Sequence, residues 1–324
     1  MTNIGALVLG LGIILLSAEL FTNGIEWLGR RLRLSEGAVG SILAAVGTAL
    51  PETLVPIIAI GFGASKATEE IGVGAILGAP FMLGTLALFV TGFTALLLAL
   101  FGKRRATMMI DECVMKRDLK FFLMVYSIAI LAAFLKQHDL KLIFAIGLVM
   151  AYLTYAYKTI TSGECITTGE INPLTFNKKA VVPRIRVILL QVLCAVGGII
   201  GGAEVFIHSM ESIAETVNVS PFILSVIITP IATELPEKFN SIIWVSRGKD
   251  TLALGNITGA MVFQSSIIPA IGIAMTPWVL SGVAVTCAAV ALSSAAVVLM
   301  MISWKGHLRA HTLLSGGAFY ALFL

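Results

Sequence analysis

Two short segments of the chain place a glutamate directly after a proline in the middle of apolar sequence. They are "LPET", with Pro51 and Glu52, and "LPEK", with Pro236 and Glu237. An ionised side chain at the centre of a membrane span costs roughly 2.5–3.5 kcal/mol on insertion scales, and a bound cation offsets that cost. Carboxylates favour hard divalent cations, and the sequence shows no His or Cys cluster beside these acids that would indicate a softer metal. We therefore expect Glu52 and Glu237 to be cation ligands.

The two prolines also disturb the helices that contain them. Proline has no N–H, so a carbonyl in the preceding turn loses its usual donor. Freed carbonyls near Thr48 and Thr233 can then point at a cation, although such irregular backbone is tolerated at membrane depth only where protein or water surrounds it. We expect Thr48 and Thr233 to supply oxygen ligands, and the helices that carry them to be broken.

The second segment carries an additional acid and base, Glu234 and Lys238. Because they lie four residues apart, they share one face of a helix and can neutralise each other. A fixed ion pair would leave Glu52 and Glu237 to bind the cargo. Alternatively, Lys238 competes with the cation or takes part in proton movement, or it faces a water-filled vestibule. Glu234 is therefore a candidate cation ligand, and Lys238 a candidate coupling residue.

The composition identifies the surroundings of these segments as a membrane. Of 324 residues, 58% are hydrophobic and 12% are charged, whereas soluble domains carry about 25% charged residues. The mean hydropathy is +0.98, and apolar runs long enough to cross a bilayer recur along the chain. The net charge of +4 therefore does not indicate nucleic acid. We expect no nucleic-acid partner, no enzymatic activity and no cofactor.

The apolar runs predict an all-α polytopic membrane protein with ten spans. These cover residues 4–28, 36–62, 70–100, 120–136, 139–158, 185–208, 220–246, 251–275, 278–302 and 307–324. The loops after odd-numbered spans hold 18 of the 22 Lys and Arg residues, and the loops on the other face hold 3. By the positive-inside rule the odd-numbered loops are cytoplasmic, and both termini are external. The expected location is a prokaryotic plasma (inner) membrane, with the basic loops attracting anionic lipid.

The two halves of the chain repeat each other. "AELF" from Ala18 and "TALPE" from Thr48 recur as "AEVF" from Ala203 and "TELPE" from Thr233, at a constant offset of 185 residues. The repeats are predicted to be domains: residues 1–158, a cytoplasmic linker at 159–184, and residues 185–324. Since each half holds five helices, the second enters from the opposite face, which is the inverted plan of many secondary transporters.

The same repeat places one acid near each mouth of a pathway. Glu19 lies late in span 1, towards the cytoplasm, and Glu204 lies late in span 6, towards the outside. They are candidate gating residues, and interfacial acids in contact with water are the equal alternative.

The paired "GTALPET" and "ATELPEK" segments, each followed by a Gly-rich helix, resemble the α-repeats of the calcium/cation antiporter superfamily. The resemblance implies ten helices in two inverted five-helix repeats, with broken helices 2 and 7 at a central site. It implies that Glu52 and Glu237 bind Ca²⁺, that the carbonyls of Thr48 and Thr233 contribute, and that spans 1 and 6 slide to alternate access.

The chain departs from sodium-coupled relatives at positions that complete their sodium sites. Those relatives carry small polar residues where this chain has Ala79 and Ala260, and Leu83 stands where a further ligand is expected. The second half retains Asn256 and Gln264, and its "GAMVFQSSIIP" segment resembles the calcium/proton exchangers. Alanine and leucine supply no side-chain oxygen, so sodium coupling is in doubt.

The expected function is secondary antiport of a divalent cation, with Ca²⁺ favoured, against H⁺ or Na⁺, with H⁺ favoured. The alternatives are a sodium/calcium exchanger proper, or a channel-like or non-transporting relative whose site is neutralised by Glu234 and Lys238. The expected partners are divalent and monovalent cations and membrane lipid. The oligomeric state is left open.

Overall fold

The computed structural model describes residues 2–31, 50–63, 65–161, 172–178, 180, 182–305 and 307–324. In these ranges the regular secondary structure is helical, apart from two strands of two residues each. The predictions about Thr48, the break in span 2 and residues 162–171, 179 and 181 of the predicted linker lie outside the described residues.

The described helices are α1 (Thr2–Arg31), α2 (Leu50–Gly61), α3 (Lys66–Met82), α4 (Leu88–Leu100), α5 (Glu112–Ala132), α6 (His138–Thr161), α7 (Ile185–Val217), α8 (Pro221–Thr233), α9 (Leu235–Ser246), α10 (Asp250–Met275), α11 (Gly282–Lys305), α12 (Ala310–Leu313) and α13 (Ser315–Phe323). A π-helical segment, Leu83–Ala87, joins α3 to α4, and Thr175–Asn177 form a 3-10 turn.

Six stretches of the described chain are helical, long enough and apolar enough to cross a membrane. They are Asn3–Arg31, Lys66–Leu100, His138–Thr159, Ile185–Val217, Asp250–Met275 and Gly282–Trp304. Two shorter apolar helices, Glu52–Gly61 and Pro221–Ile231, lie within predicted spans 2 and 7. These helices identify the protein as a helical membrane protein. The count of ten spans remains a prediction.

Three details correct the predicted elements. The helix of span 4 begins at Glu112 rather than near residue 120, because the Asp111 carboxylate caps it by accepting from the N–H groups of Cys113 and Val114 at 2.9 and 3.1 Å. Span 10, predicted as one helix over 307–324, is instead a strand followed by two short helices. That strand, β2 (Leu308–Arg309), pairs antiparallel with β1 (Thr107–Met108), so the all-α prediction misses a small ladder.

The chain forms two compact units. One contains Met1–Gly72 and Leu153–Pro221, and the other contains Val73–Tyr152 and Phe222–Leu324. Each unit takes helices from both halves of the sequence, so the units are a different division from the predicted repeats, which remain a prediction.

In the first unit α1 packs closely along α7. A Cβ atom on Gly10 would lie 2.8 Å from the backbone nitrogen of Phe206, and one on Gly202 would lie 3.0 Å from the carbonyl oxygen of Gly10. Small residues let two helix backbones approach in a membrane. A polar cluster at one end adds to this contact, because the buried Gln191 amide donates to the Leu20 carbonyl and to Asn23 Oδ1 at 2.9 and 3.0 Å.

In the second unit α3 packs against α8 through two glycines of the predicted repeat. A Cβ atom on Gly74 would lie 2.8 Å from the carbonyl oxygen of Phe222, and one on Gly78 would lie 2.7 Å from that of Val226. These glycines therefore fix the position of α8, whose last turn leads into the charged segment.

Candidate functional site

The span that carries the charged segment is divided at Glu234. Helix α8 ends at Thr233 and α9 begins at Leu235, while Glu234 between them has φ −94° and ψ 10°. Pro236 stands in the first turn of α9, where a proline is tolerated because its missing N–H has no intrahelical partner there. The same missing N–H deprives the carbonyl four residues earlier of its donor, which explains why the two helices do not merge.

Glu234 and Lys238 form the ion pair that their spacing predicts. Lys238 Nζ lies 3.4 Å from Glu234 Oε2, and the exposed fractions of the two side chains are 10% and 0%. The same ammonium donates a hydrogen bond to the Pro230 carbonyl at 3.1 Å. Pro230 O belongs to the last turn of α8, where carbonyls carry partial negative charge and favour a cation. The ammonium is therefore held by a carboxylate and a helix end together.

Thr233 is buried one residue before the break. Its hydroxyl donates to the Thr229 carbonyl at 3.1 Å, and the Thr229 hydroxyl lies 3.0 Å from that of Ser225. The three hydroxyls thus form a polar line along α8. Because the Thr233 hydroxyl is used as a donor within its own helix, its oxygen lone pairs and its backbone carbonyl are the groups with which it could bind a cation.

The amide side chains of Asn256 and Gln264, which were predicted as polar site residues of the second half, both lie on α10. Gln264 is 3% exposed. Among the described residues, neither its Oε1 nor Nδ2 of Asn256 finds a hydrogen-bond partner, although both atoms are buried. An unsatisfied buried polar atom costs about 1–3 kcal/mol. A cation or a water molecule at Gln264 Oε1 would recover that cost, so Gln264 is the stronger candidate of the two for binding cargo.

The two central acids lie in different helices, α2 and α9. Glu52 is 5% exposed near the start of the described part of α2, in the first compact unit. Glu237 is the third residue of α9, in the second unit, and its side chain lies outside the described residues.

The gating candidates lie on the surface of the first unit. The side chains of Glu19, on α1, and Glu204, on α7, are both exposed. Exposure is expected both of gate residues and of interfacial acids, so both interpretations stand.

A buried ion pair that the sequence analysis missed fixes the start of α10. Asp250 accepts from Arg104 through both carboxylate oxygens, at 2.8 and 2.6 Å, and Arg104 also donates to the Val245 carbonyl at 2.8 Å. The basic loop after span 3 was expected to face lipid, whereas Arg104 joins that loop to α9 and α10. In the sequence, Asp250 is marked only by the opposite charge of Lys249 beside it. That pattern does not identify a partner 146 residues away.

A second buried acid, Asp118, lies on α5. It accepts a hydrogen bond from the Thr258 hydroxyl of α10 at 2.9 Å and lies 3.2 Å from Arg117 Nε. The sequence analysis placed Asp118 in a loop, because it began span 4 too late.

In the described part of the chain, no group of three or more His, Cys, Asp or Glu side chains is placed to hold a metal ion.

Comparison with known proteins identifies the relatives of this chain. The family described as sodium/calcium exchanger protein matches residues 2–161 and 187–324. The putative antiporter CaxA of Alkalimonas amylolytica is 26% identical over 312 residues, which are 93% of this chain and 90% of CaxA. Among solved structures, the H⁺/Ca²⁺ exchanger CAX aligns with a TM-score of 0.74 at 15% identity, covering 99% of this chain and 80% of CAX. The sodium-calcium exchanger NCX_Mj aligns with a TM-score of 0.59 at 19% identity, covering 99% of this chain and 97% of NCX_Mj.

Proposed function

The chain belongs to the sodium/calcium exchanger protein family, and on that premise we propose that it is a secondary antiporter that exchanges Ca²⁺ for H⁺ by alternating access. Its architecture in this proposal is ten transmembrane helices in two inverted five-helix repeats. The termini lie outside a prokaryotic inner membrane, as the distribution of Lys and Arg indicates.

One observation carries the proposal: the two Leu-Pro-Glu motifs lie at the same distance from the ends of two apolar helices. Helix α2 ends at Gly61 and α9 ends at Ser246, and these ends differ by the offset of the sequence repeat. Glu52 and Glu237 each lie nine residues before the end of their helix. Glu52 and Glu237 therefore stand at the same position of matched helices, as two halves of an inverted site require.

In this proposal the carboxylates of Glu52 and Glu237 bind the divalent cation. The carbonyls of Thr48 and Thr233 add neutral oxygens, and Gln264 Oε1 and Asn256 are candidates to extend the site on α10. Glu234 is a candidate ligand whose charge is largely compensated by Lys238 at 3.4 Å. Two carboxylates neutralise one divalent cation, which is the charge balance that a low-dielectric site favours.

We choose H⁺ as the counter-ion because the side chains at the expected sodium-ligand positions have no oxygen atoms. Ala79 and Leu83 are buried on the helix that follows α2 in the chain, and neither side chain can ligate sodium. Ala260 is the matching position on α10. A proton binds directly to a carboxylate, so loading the site with H⁺ instead of Na⁺ needs no ligand at those positions. A sodium/calcium exchanger proper is the alternative, and it would need backbone or water oxygens at those three positions.

A second candidate function follows from the Glu234–Lys238 pair. A site that carries its own ammonium could bind no cargo, and the chain would then be a transport-inactive or channel-like relative. The Glu234 carboxylate is fully buried beside that ammonium, which is the observation in favour of this candidate. Against it, Lys238 contacts Glu234, which the sequence repeat does not require, so the two matched acids Glu52 and Glu237 stay available to the proposal.

The experiment is Ca²⁺ flux in proteoliposomes that contain the purified full-length protein. Vesicles loaded with radiolabelled Ca²⁺ are diluted into buffers that impose either a pH gradient without sodium or a sodium gradient at clamped pH. The proposal predicts efflux that is driven by the pH gradient and indifferent to sodium. Robust sodium-driven flux at clamped pH would restore the sodium/calcium exchanger, downhill leak would indicate a channel, and no flux would indicate an inactive relative.

A further inference from the structure

The ammonium of Lys238 sits where the protein offers oxygen ligands of the kind that alkali cations take. It contacts a carboxylate oxygen of Glu234 at 3.4 Å and the carbonyl oxygen of Pro230 at 3.1 Å. Broken helices of secondary transporters bind Na⁺ with carbonyls at the C-terminal ends of half-helices. Pro230 O lies in the last turn of such a half-helix, α8.

The three residues form one continuous strip on the helix surface. Pro230, Glu234 and Lys238 follow each other at intervals of four residues, so their groups stack on one face across the break. The Pro230 carbonyl also accepts the N–H of Glu234 at 3.1 Å, and its second lone pair serves the ammonium. The ammonium is thus anchored at both ends of the break, with one-tenth of its side chain exposed.

The ammonium of Lys238 places positive charge beside the fully buried Glu234 carboxylate. A flexible four-carbon stem delivers a compact point charge to that position. Because the ammonium is covalently tethered to α9, it cannot exchange with ions in solution as a bound alkali ion does.

We propose that Lys238 is a tethered monovalent cation that takes the place of a bound alkali ion between Glu234 and Pro230, and that it makes the exchanger independent of sodium and potassium. The inference rests on the proposed antiport function and extends it by naming the residue that determines ion specificity. It follows that removing only the ammonium creates an alkali-cation site from the two oxygen groups that remain. Lys238→Met, which keeps most of the stem and removes the charge, is the variant that reveals it.

The test compares thermal unfolding of the full-length protein in detergent, in choline chloride and in sodium or potassium chloride at equal ionic strength. For Lys238→Met the proposal predicts a saturable rise of the midpoint in an alkali salt of about 2–4 °C, as ligand binding to the folded state produces. The wild type should show no such difference. The double variant Glu234→Gln with Lys238→Met should show none either, since it lacks the charged ligand.

Lys116→Met is the matched control, because Lys116 also pairs with a glutamate four residues away, Glu112, at 2.8 Å, but both side chains are about one-third exposed. It should give equal midpoints in all three salts. Equal midpoints for Lys238→Met would overturn the proposal, including the case in which the stranded Glu234 takes up a proton instead. If Lys238→Met does not fold, Lys238→Gln removes the charge while retaining a donor for Pro230, and the same comparison decides.

The same samples separate this proposal from the function on which it rests. Stabilisation by Ca²⁺ is measured in choline chloride for the wild type and for Lys238→Met. If Ca²⁺ stabilises both but alkali ions do not stabilise Lys238→Met, the tethered cation is refuted and the antiport function is untouched. If Ca²⁺ fails to stabilise the wild type, the proposed function itself is contradicted, whatever the alkali salts do.

Discussion

The Arg104–Asp250 pair allows a stability prediction in which each contribution can be read from the structure. Arg104→Met removes two hydrogen bonds to the Asp250 carboxylate and one to the Val245 carbonyl. Among the described residues, the donor that remains to the Asp250 carboxylate is the N–H of Met109, at 2.8 Å from its Oδ2. Its side chain is 0% exposed, so water cannot replace the lost donors without local opening.

The expected loss follows from what is left behind. Stranding one charge of a buried pair costs about 3–5 kcal/mol, which for a chain of this size lowers the unfolding midpoint by about 6–10 °C. Arg104→Lys keeps the charge but loses the planar fork that matches both carboxylate oxygens, so it should cost about 1–2 kcal/mol. Adding Asp250→Asn to Arg104→Met removes the stranded charge and should restore part of the loss.

The assay is thermal unfolding of purified protein in detergent for the wild type, both Arg104 variants, Asp250→Asn and the double variant. Non-additivity of about 1–3 kcal/mol between Arg104→Met and Asp250→Asn is expected for two residues in direct contact. A midpoint for Arg104→Met equal to that of the wild type would refute the reasoning, and so would strictly additive losses. Either result would mean that the interaction between Arg104 and Asp250 does not stabilise the folded protein.

Two further predictions concern the neighbouring helices. In choline chloride, the single variant Lys238→Leu should be less stable than the double variant Glu234→Ser with Lys238→Leu, because only the single variant keeps the buried carboxylate without its ammonium. Equal or additive losses of the unfolding midpoint would show that the two side chains do not interact in the folded protein. Gly78→Ala should lower the unfolding midpoint by about 2–6 °C, since its Cβ would lie 2.7 Å from the Val226 carbonyl oxygen and overpacking costs about 1–3 kcal/mol. Gly259→Ala, whose Cβ meets no described atom within 4 Å, is the matched control and should not lower it.

The sequence predicted those parts of the fold that depend on neighbours along the chain. The apolar runs located α1, α6, α10 and α11 to within a few residues, because a membrane span needs a long uninterrupted apolar stretch. The spacing of Glu234 and Lys238 predicted their ion pair, since residues four apart on a helix are adjacent.

The parts that depend on distant residues were missed. The partner of Asp250 lies on a loop that composition alone assigns to the lipid surface, and the ladder between β1 and β2 joins segments about 200 residues apart. Neither propensity nor periodicity carries such information, because the contacts exist only once the helices have packed. The π-helical segment Leu83–Ala87 was missed for the same reason: the Gly84 carbonyl within it accepts from Ser294 of α11 at 2.6 Å.

The central claim is that Glu52 and Glu237 bind the transported divalent cation, and the most direct measurement is Ca²⁺ flux through Glu52→Gln and Glu237→Gln in proteoliposomes. Each change removes one charged ligand and keeps the shape of the side chain. Glu112→Gln, at a partly exposed position in the first turn of α5, is the control and should transport like the wild type. The account predicts that both site variants fold with unfolding midpoints close to that of the wild type and carry no more Ca²⁺ than empty vesicles. Near-normal Ca²⁺ flux through either folded variant would contradict it.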